Sequence, residues 1–557
     1  MGWLGLISLV SVTLVVTPYS SMDPINLPKA SVLAFLASIA LALLVFNSKA
    51  LLSKKYKAIS IVLFIFVADL LAVFLFSGSN FIFQFYGTSG RNTGLLTYLC
   101  LAVALLSTVL VSNAQYLVRW IAVTVFIGVA LIIYGEIQHF GKDPFPYVNA
   151  YGSNVFGTFG NQNFQSAFLG MMGAVFVGLV FNKSLNIYLR VLSIGVAVFI
   201  PFQIKQTTSE QGFLNFAAGV GIIVVLYLFM SRKKVLALVA SAFISLGGFA
   251  VLLGLVNIGP LAETLYKSSL LARGFYWRAA LNMLVDHPFF GVGLDGFGNW
   301  YRRSRTLEAV QYNAGITSDA AHNVFLDIAA SGGFPLITIY LVLFGFVVKS
   351  IVSVVRRSSE FNANFALIVG VWVAYQTQSF ISINQIGLAI WGWVLSGLII
   401  GYEINTREDV AEGAQVNSKK FSKPKKFRPA NNGKKEAAPE LVIAVFIGFA
   451  IGLVLALPPY VAATKYYKAL QSSDGVVIQP AAYLKPYDLM RFMLVARIMQ
   501  DNKLDERALQ VTRDMVQIFP DSFYAWSFFA GLPAATPAEV AEAKAQMRRL
   551  DPLNPNL

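Results

Sequence analysis

About thirteen stretches of roughly 20 predominantly apolar residues recur along the chain, and this repetition restricts its fold more than any other feature. They lie near residues 3–19, 29–47, 57–77, 93–112, 117–136, 164–182, 187–203, 212–230 and 233–256, then 335–354, 363–381, 386–402 and 439–460. Each is long enough to cross a hydrocarbon core as a helix, which satisfies every backbone N–H and C=O without water. With 56% hydrophobic and only 13% charged residues among 557, the chain must have lipid as its main solvent. The expected fold is an all-α, polytopic membrane helix bundle of about 12–14 spans. The apolar start from Trp3 to Tyr19 lacks the basic leader and small-residue cleavage site of a signal peptide, so it is read as the first span.

A formal charge of +15 raises nucleic acid as a partner, but the basic residues come in bursts between apolar runs. No basic face with interleaved aromatics is present, so membrane lipid is the expected partner and nucleic acid is not. The bursts occupy alternate connections: Lys49, Lys54, Lys55 and Lys57; Arg119; Lys183 and Arg190; Arg232, Lys233 and Lys234; Lys349, Arg356 and Arg357. Short loops rich in Lys and Arg stay cytoplasmic, which assigns these connections to the inner face. Residues 403–438 join them as a basic cytoplasmic linker, with Lys419, Lys420, Lys423, Lys425, Lys426, Arg428, Lys434 and Lys435 among Ser, Asn, Pro and Gly. Such a segment is either drawn to anionic lipid or simply solvated.

The remaining connections, 78–92, 137–163, 204–211, 257–334 and 382–385, then face outward. The largest holds Arg273, Arg278, Arg302, Arg303 and Arg305. An arginine at the bilayer centre costs about 2.5 to 3.5 kcal/mol, so 257–334 is a loop and not a hidden span. The resulting division is a transmembrane domain over 1–402, the linker, a last span at 439–460 and a tail at 461–557. From Ala462 the tail turns mixed in charge and helix-friendly, with Pro486, Pro520 and Pro552 at spacings of 34 and 32 residues. That period resembles a tetratricopeptide helix pair. Thirteen spans put the tail outside, as a small exocytoplasmic α-helical module that binds a protein partner, covers the site or packs as a short appendage.

Cys100 is the single cysteine and lies in an apolar run, and the three histidines are scattered, so no disulfide, no cysteine or histidine metal site and no cofactor is expected, while a metal held by carboxylates stays open without a motif to support it. Chemistry concentrates in the outer loops. In "GTFGNQNFQSAFL", Asn161 and Asn163 stand where helix N-caps belong. They serve either as caps alone or as a polar, anion-tolerant corner at the membrane surface. In "LARGFYWRAALNMLVDHPFFGVGLDGFGNWY", Arg273, Trp277, Ala280, Leu281 and Leu284 follow a helical face that stops at Pro288, Gly291 and Gly293. Arg273 and Arg278 fall on different faces of that amphipathic helix. A guanidinium there either forks onto a phosphate or snorkels among headgroups. In "TSDAAHNVFLDIAASGGFP", His322 precedes a short apolar stretch, where an imidazole is either structural or a general base.

These pieces together resemble the O-antigen ligase and polymerase superfamily of bacterial envelope glycan enzymes. The matching segments are "YGEIQHFGKDPF", "GTFGNQNF", "ARGFYWRAALNMLVDHPFFGVGLDGF", "AHNVFLDIAASGGFP" and "QSFISINQIGLAIWGWVLSG", and they extend over most of residues 1–402. The resemblance implies a GT-C-like, metal-independent, inverting glycosyltransferase of the bacterial cytoplasmic membrane. Its donor would be a polyprenyl-diphosphate-linked glycan and its acceptor a glycan, a lipid or a protein hydroxyl. By motif, Arg273 would bind the diphosphate and His322 would deprotonate or orient the acceptor. Arg91 in "GTSGRNTGLL" would be a second phosphate contact, with Lys205 and Gln211 as weaker substrate contacts; the reading of the residues themselves adds Arg278, Asn161 and Asn163 to the candidate substrate contacts. The chain departs from relatives at Ser209, Glu210, Gln211 and Gly212, where many have Ser-Arg-Gly, and at Ser331, where many have Glu.

Two readings compete with an enzyme. A transporter or flippase of the lipid-linked glycan needs polar groups near the midplane, whereas the spans carry few charges besides Asp69. A scaffold acting through its tail would leave Arg273 and His322 replaceable.

Overall fold

The computed structural model describes residues 1–145, 155–255, 258–259, 262–265, 268–407, 439–472 and 474–557. Each of the thirteen apolar stretches contains a helix. The first nine are α1 (Gly2–Leu14), α2 (Asn26–Phe46), α3 (Lys57–Phe76), α5 (Leu95–Val111), α6 (Ala114–His139), α7 (Gln162–Val180), α8 (Ile187–Gln206), α9 (Gln211–Met230) and α10 (Lys234–Leu255). The last four are α13 (Val324–Arg357), α14 (Ala363–Ser379), α15 (Ile386–Asn405) and α16 (Pro439–Leu470). The outer loops add α4 (Phe81–Tyr86), α11 (Ser268–Asp286) and α12 (Phe297–Ser304). Among the described residues, ten helices are long and apolar enough to cross a membrane. The other three expected spans, α1, α5 and α14, are only 13, 17 and 17 residues long. The linker beyond Arg407 and residues 146–154 of the 137–163 loop lie outside the described residues.

The shortness of α1 has a visible remedy. Its C-terminal carbonyls would be orphaned in an apolar surround, but Lys29 of α2, 0% exposed, donates from Nζ to the carbonyls of Val12 (3.0 Å), Thr13 (2.7 Å) and Val15 (3.0 Å). A cation at a helix C-terminus also complements the helix dipole. This buried charge is therefore spent on capping α1, a role that sequence reading did not foresee. At the bundle centre α7 and α15 are enclosed on nearly every side, while α10 exposes most of its surface, as a lipid-facing helix must.

The ends of the bundle sort by composition. At one end the basic connections meet: the Tyr56 hydroxyl donates to Asn405 (2.5 Å), Asn405 donates to the carbonyls of Val109 (3.1 Å) and Ser112 (2.8 Å), and Arg357 pairs with Glu403 (3.5 Å). Helix α16 runs antiparallel to α2, since Gly448 approaches Ile39, Gly452 approaches Phe35 and Ser31 donates to the Ala456 carbonyl. The chain after α16 therefore emerges at the opposite end, alongside the glycine-rich loops. There it folds as α17 (Gly475–Ala482), α18 (Leu489–Asp501), α19 (Asp505–Ile518), α20 (Phe523–Ala530) and α21 (Pro537–Leu550) around a core that includes Phe492, Met499, Met515, Trp526 and Leu550.

The tail is docked onto the outer loops. Asp551 receives Arg302 Nη1 at 3.0 Å and Arg305 Nη2 at 2.6 and 2.8 Å, Arg303 reaches Asp521 at 2.9 Å, and Asn80 donates to the Ile518 carbonyl at 3.2 Å. Helix α13 is broken at Gly333 (φ 70°, ψ −167°). A Cβ there would collide with the Pro288 carbonyl, and Pro335 follows two residues on. The stretch from Val324 to Gly332 is thus a separate short helix that precedes the expected span at 335–354.

Candidate functional site

The corner begins with a clasp between two outer loops. Asp295 accepts the Thr88 N–H at 2.6 Å and the Thr93 hydroxyl at 3.0 Å, and its carboxylate lies 3.4 Å from Arg91 Nε. Ser79 donates to the Val292 carbonyl at 2.8 Å and Gln84 accepts the Leu294 N–H at 3.2 Å. Gly87, with φ +82°, leaves the Asp295 carboxylate room where a side chain would strike it. Arg91, predicted to meet phosphate, is held at the same time by the Asp319 carbonyl. Burial alone would lower its pKa, but the carboxylates of Asp295, Asp319 and Asp327 more than offset this and raise it. Arg91 is a locked cation.

Helix α11 brings the second cation. Its Ala279, Ala280 and Met283 pack with Val292, Phe297, Tyr301, Ala321 and Ala330 in a small core of the large loop. That packing turns Tyr276 toward His322, with ring centroids 5.6 Å apart. Arg273, one helical turn earlier, makes no hydrogen bond or ion pair with any described residue. Burial lowers its pKa, with Tyr276 opposing, yet a guanidinium stays charged at any physiological pH.

His322 sits in a strained turn at φ +53°, a conformation L-residues adopt at a cost of about 1–2 kcal/mol. Neighbours over-determine it. The Ala321 N–H donates to Asp327 Oδ1 at 2.6 Å, Asn323 caps α13 by accepting the Leu326 N–H at 3.1 Å, and Asn323 Nδ2 donates to the Phe380 carbonyl at 3.1 Å. Strain that surrounding contacts enforce is a mark of functional positions. Burial, then the charge of Arg273, and less strongly Arg91, lower the imidazole pKa to about 4 against the pull of Asp319. The ring is therefore neutral at neutral pH, with a nitrogen lone pair available.

The structure thus gathers His322, Arg273 and Arg91. The other five make their contacts with other groups. Arg278 turns away on α11 to an exposed pair with Glu308. Asn161 caps α7 by accepting the Asn163 N–H at 2.8 Å, Gln211 donates to the Asn163 carbonyl, and Lys205 is exposed in the last turn of α8. Those four residues make no hydrogen bond or ion pair with Arg91, Arg273 or His322. The sequence reading missed Tyr276, Asp295, Asp319 and Asp327. Tyr276 and Asp327 do carry a signal, because each lies one helical turn or so from a candidate residue, whereas Asp295 and Asp319 gain meaning only from loop closure. Among the described residues, no group of three His, Cys, Asp or Glu side chains is arranged to hold a metal ion.

Residues 204–341 match a family model described as O-antigen ligase, a segment that includes both Arg273 and His322. No curated protein matches the chain. It is this segment, about a quarter of the chain, that the match likens to O-antigen ligases.

Proposed function

We propose that this O-antigen ligase-like membrane protein transfers or polymerises a polyprenyl-diphosphate-linked oligosaccharide onto an acceptor hydroxyl at the non-cytoplasmic face of the bacterial cytoplasmic membrane. The observation that carries this reading is the meeting of Arg273, a guanidinium with no ion-pair partner among the described residues, and a neutral imidazole, His322, through the shared neighbour Tyr276. The positive-inside rule supports the outward orientation, because this corner lies at the end of the bundle opposite the basic connections.

In the proposed step the acceptor oxygen attacks the anomeric carbon and forms the new glycosidic bond. The bond from that carbon to the diphosphate oxygen breaks with inversion, His322 takes the acceptor proton, and polyprenyl diphosphate leaves with the electron pair. Negative charge grows on the leaving group, and Arg273, with Arg91 behind it, stands where a cation stabilises that charge. A histidine with a pKa near 4 is a weak base in the empty site. An arriving diphosphate would offset Arg273 and raise the pKa of the imidazole, so the base strengthens when the donor is bound. A glycan, a lipid and a protein hydroxyl all fit this step as acceptor. The tail, whose paired helices begin at Leu489 and Phe523, is proposed to be tetratricopeptide-like.

The test is release of polyprenyl diphosphate by the full-length protein in lipid nanodiscs. His322→Ala is expected to lower kcat by about 10²–10⁴. Unchanged turnover in both His322→Ala and Arg273→Ala would sink the assignment.

A further inference from the structure

We infer that Asp551 of the tail is a positioning residue for the transfer site, clamping the wall on which Tyr276 and His322 rest. This inference rests on the function proposed above. Asp551 is 1% exposed and Arg305 is as deeply buried, so the charges meet away from water. Removing one partner of such a pair leaves the others uncompensated, so the pair is either complete or strongly disfavoured. Arg302 is further held over the ring of Phe523 at 4.2 Å.

The clamp leads to the site by direct contacts. Arg302 and Arg305 flank the last turn of α12, whose Tyr301 stacks 6.0 Å from Phe297 and meets Tyr276 edge-on at 5.4 Å. Tyr276 in turn lies against His322. The Tyr301 hydroxyl is buried without a hydrogen-bond partner among the described residues, so ring packing and the seating of α12 hold this side chain. The tail also grips the other wall. Phe83 packs on the tail core and Asn80 donates to Ile518, and that same loop continues to Thr88 and Arg91. One module therefore fastens both loops that Asp295 clasps from beneath.

The experiment uses full-length protein in nanodiscs and Asp551→Asn, which keeps the side-chain shape and removes its charge. A loosened α12 displaces Tyr276, so kcat is expected to fall about 10- to 100-fold, the scale of an ångström-sized misplacement. Donor KM should stay near the wild-type value, because Arg273 and Arg91 are untouched. The groups facing His322 are Arg273 and Tyr276 from α11, Asp319 from its own loop and Arg91 from the first loop. Losing Tyr276 readmits water, so the acid limb of the kcat/KM profile should move up from near pH 4 toward the ordinary histidine value. A merely adhesive tail would not shift that limb.

Should Asp551→Asn fail to accumulate in the membrane, Arg302→Lys, with a shorter reach to Asp551, is read in the same way. Wild-type kcat with an unmoved acid limb overturns the clamp. His322→Ala separates the two ideas: if it abolishes transfer while Asp551→Asn behaves as wild type, only the clamp fails. If His322→Ala transfers normally, the proposed function fails first.

Discussion

The large outer loop carries arginines in two settings, and their contrast separates structural from chemical charge. Arg302 and Arg305 are buried and both pair with Asp551, and Arg303 pairs with Asp521. Arg273 is partly buried and forms no ion pair with any described residue. A buried cation is normally paired or costly, so Arg273 fits the diphosphate-binding role proposed for it, whereas the paired arginines hold the tail in place.

This contrast can be broken by exchanging the two classes. Arg273→Ala should lower kcat by about 10²–10³, the loss found on removing one transition-state donor, and should leave thermal stability unchanged. Arg305→Ala leaves the buried Asp551 carboxylate with Arg302 as its one remaining cation and should cost about 3 kcal/mol, the lower end of the loss on breaking a buried pair. It should appear as early urea unfolding and fast hydrogen exchange in α21. If Arg273→Ala proved destabilising instead, with chemistry intact, the division would be wrong.

The pH profile sharpens it further. An imidazole with the ordinary pKa of about 6.5 would lose roughly tenfold of its neutral form between pH 7 and pH 5.5. With the pKa near 4 in the empty site, kcat/KM should hardly change over that range and should fall only as pH drops through 4. Bound diphosphate favours the imidazolium, so the limb in kcat, which reports the complex, should lie at higher pH than the limb in kcat/KM. Coincident limbs near 6.5 would mean that Arg273 exerts no field on His322. The smallest effect is expected for Arg278→Ala. Its exposed pair with Glu308 contributes at most about 1 kcal/mol, and turnover should remain within about twofold. A larger loss would return Arg278 to the substrate.

The covalent order of apolar runs was sufficient to reveal the bundle, because lipid leaves a 20-residue apolar stretch almost no alternative to a helix. The basic bursts at 49–57, 183–190, 232–234 and 349–357 likewise showed which loops share a face. His322 and Arg273 were legible because motif and polarity single them out within the outer loops. Lys29 shows where such reading stops. It stands at the edge of an apolar run like any flanking lysine, and its burial against the end of α1 depends on how two helices cross. The same holds for Arg278, which shares a helix with Arg273 but meets Glu308 instead, and for the amide group at Asn161, Asn163 and Gln211.

What the sequence determined by itself was the set of elements and their material, since these follow from hydropathy counted over local windows. Only the tertiary structure decided which charges find partners. Asp295 reaches Arg91, Asp551 reaches Arg302 and Arg305, and Arg273 pairs with no acid among the described residues, because pairing between groups hundreds of residues apart is set by how loops close over the bundle and leaves no periodic trace in the chain.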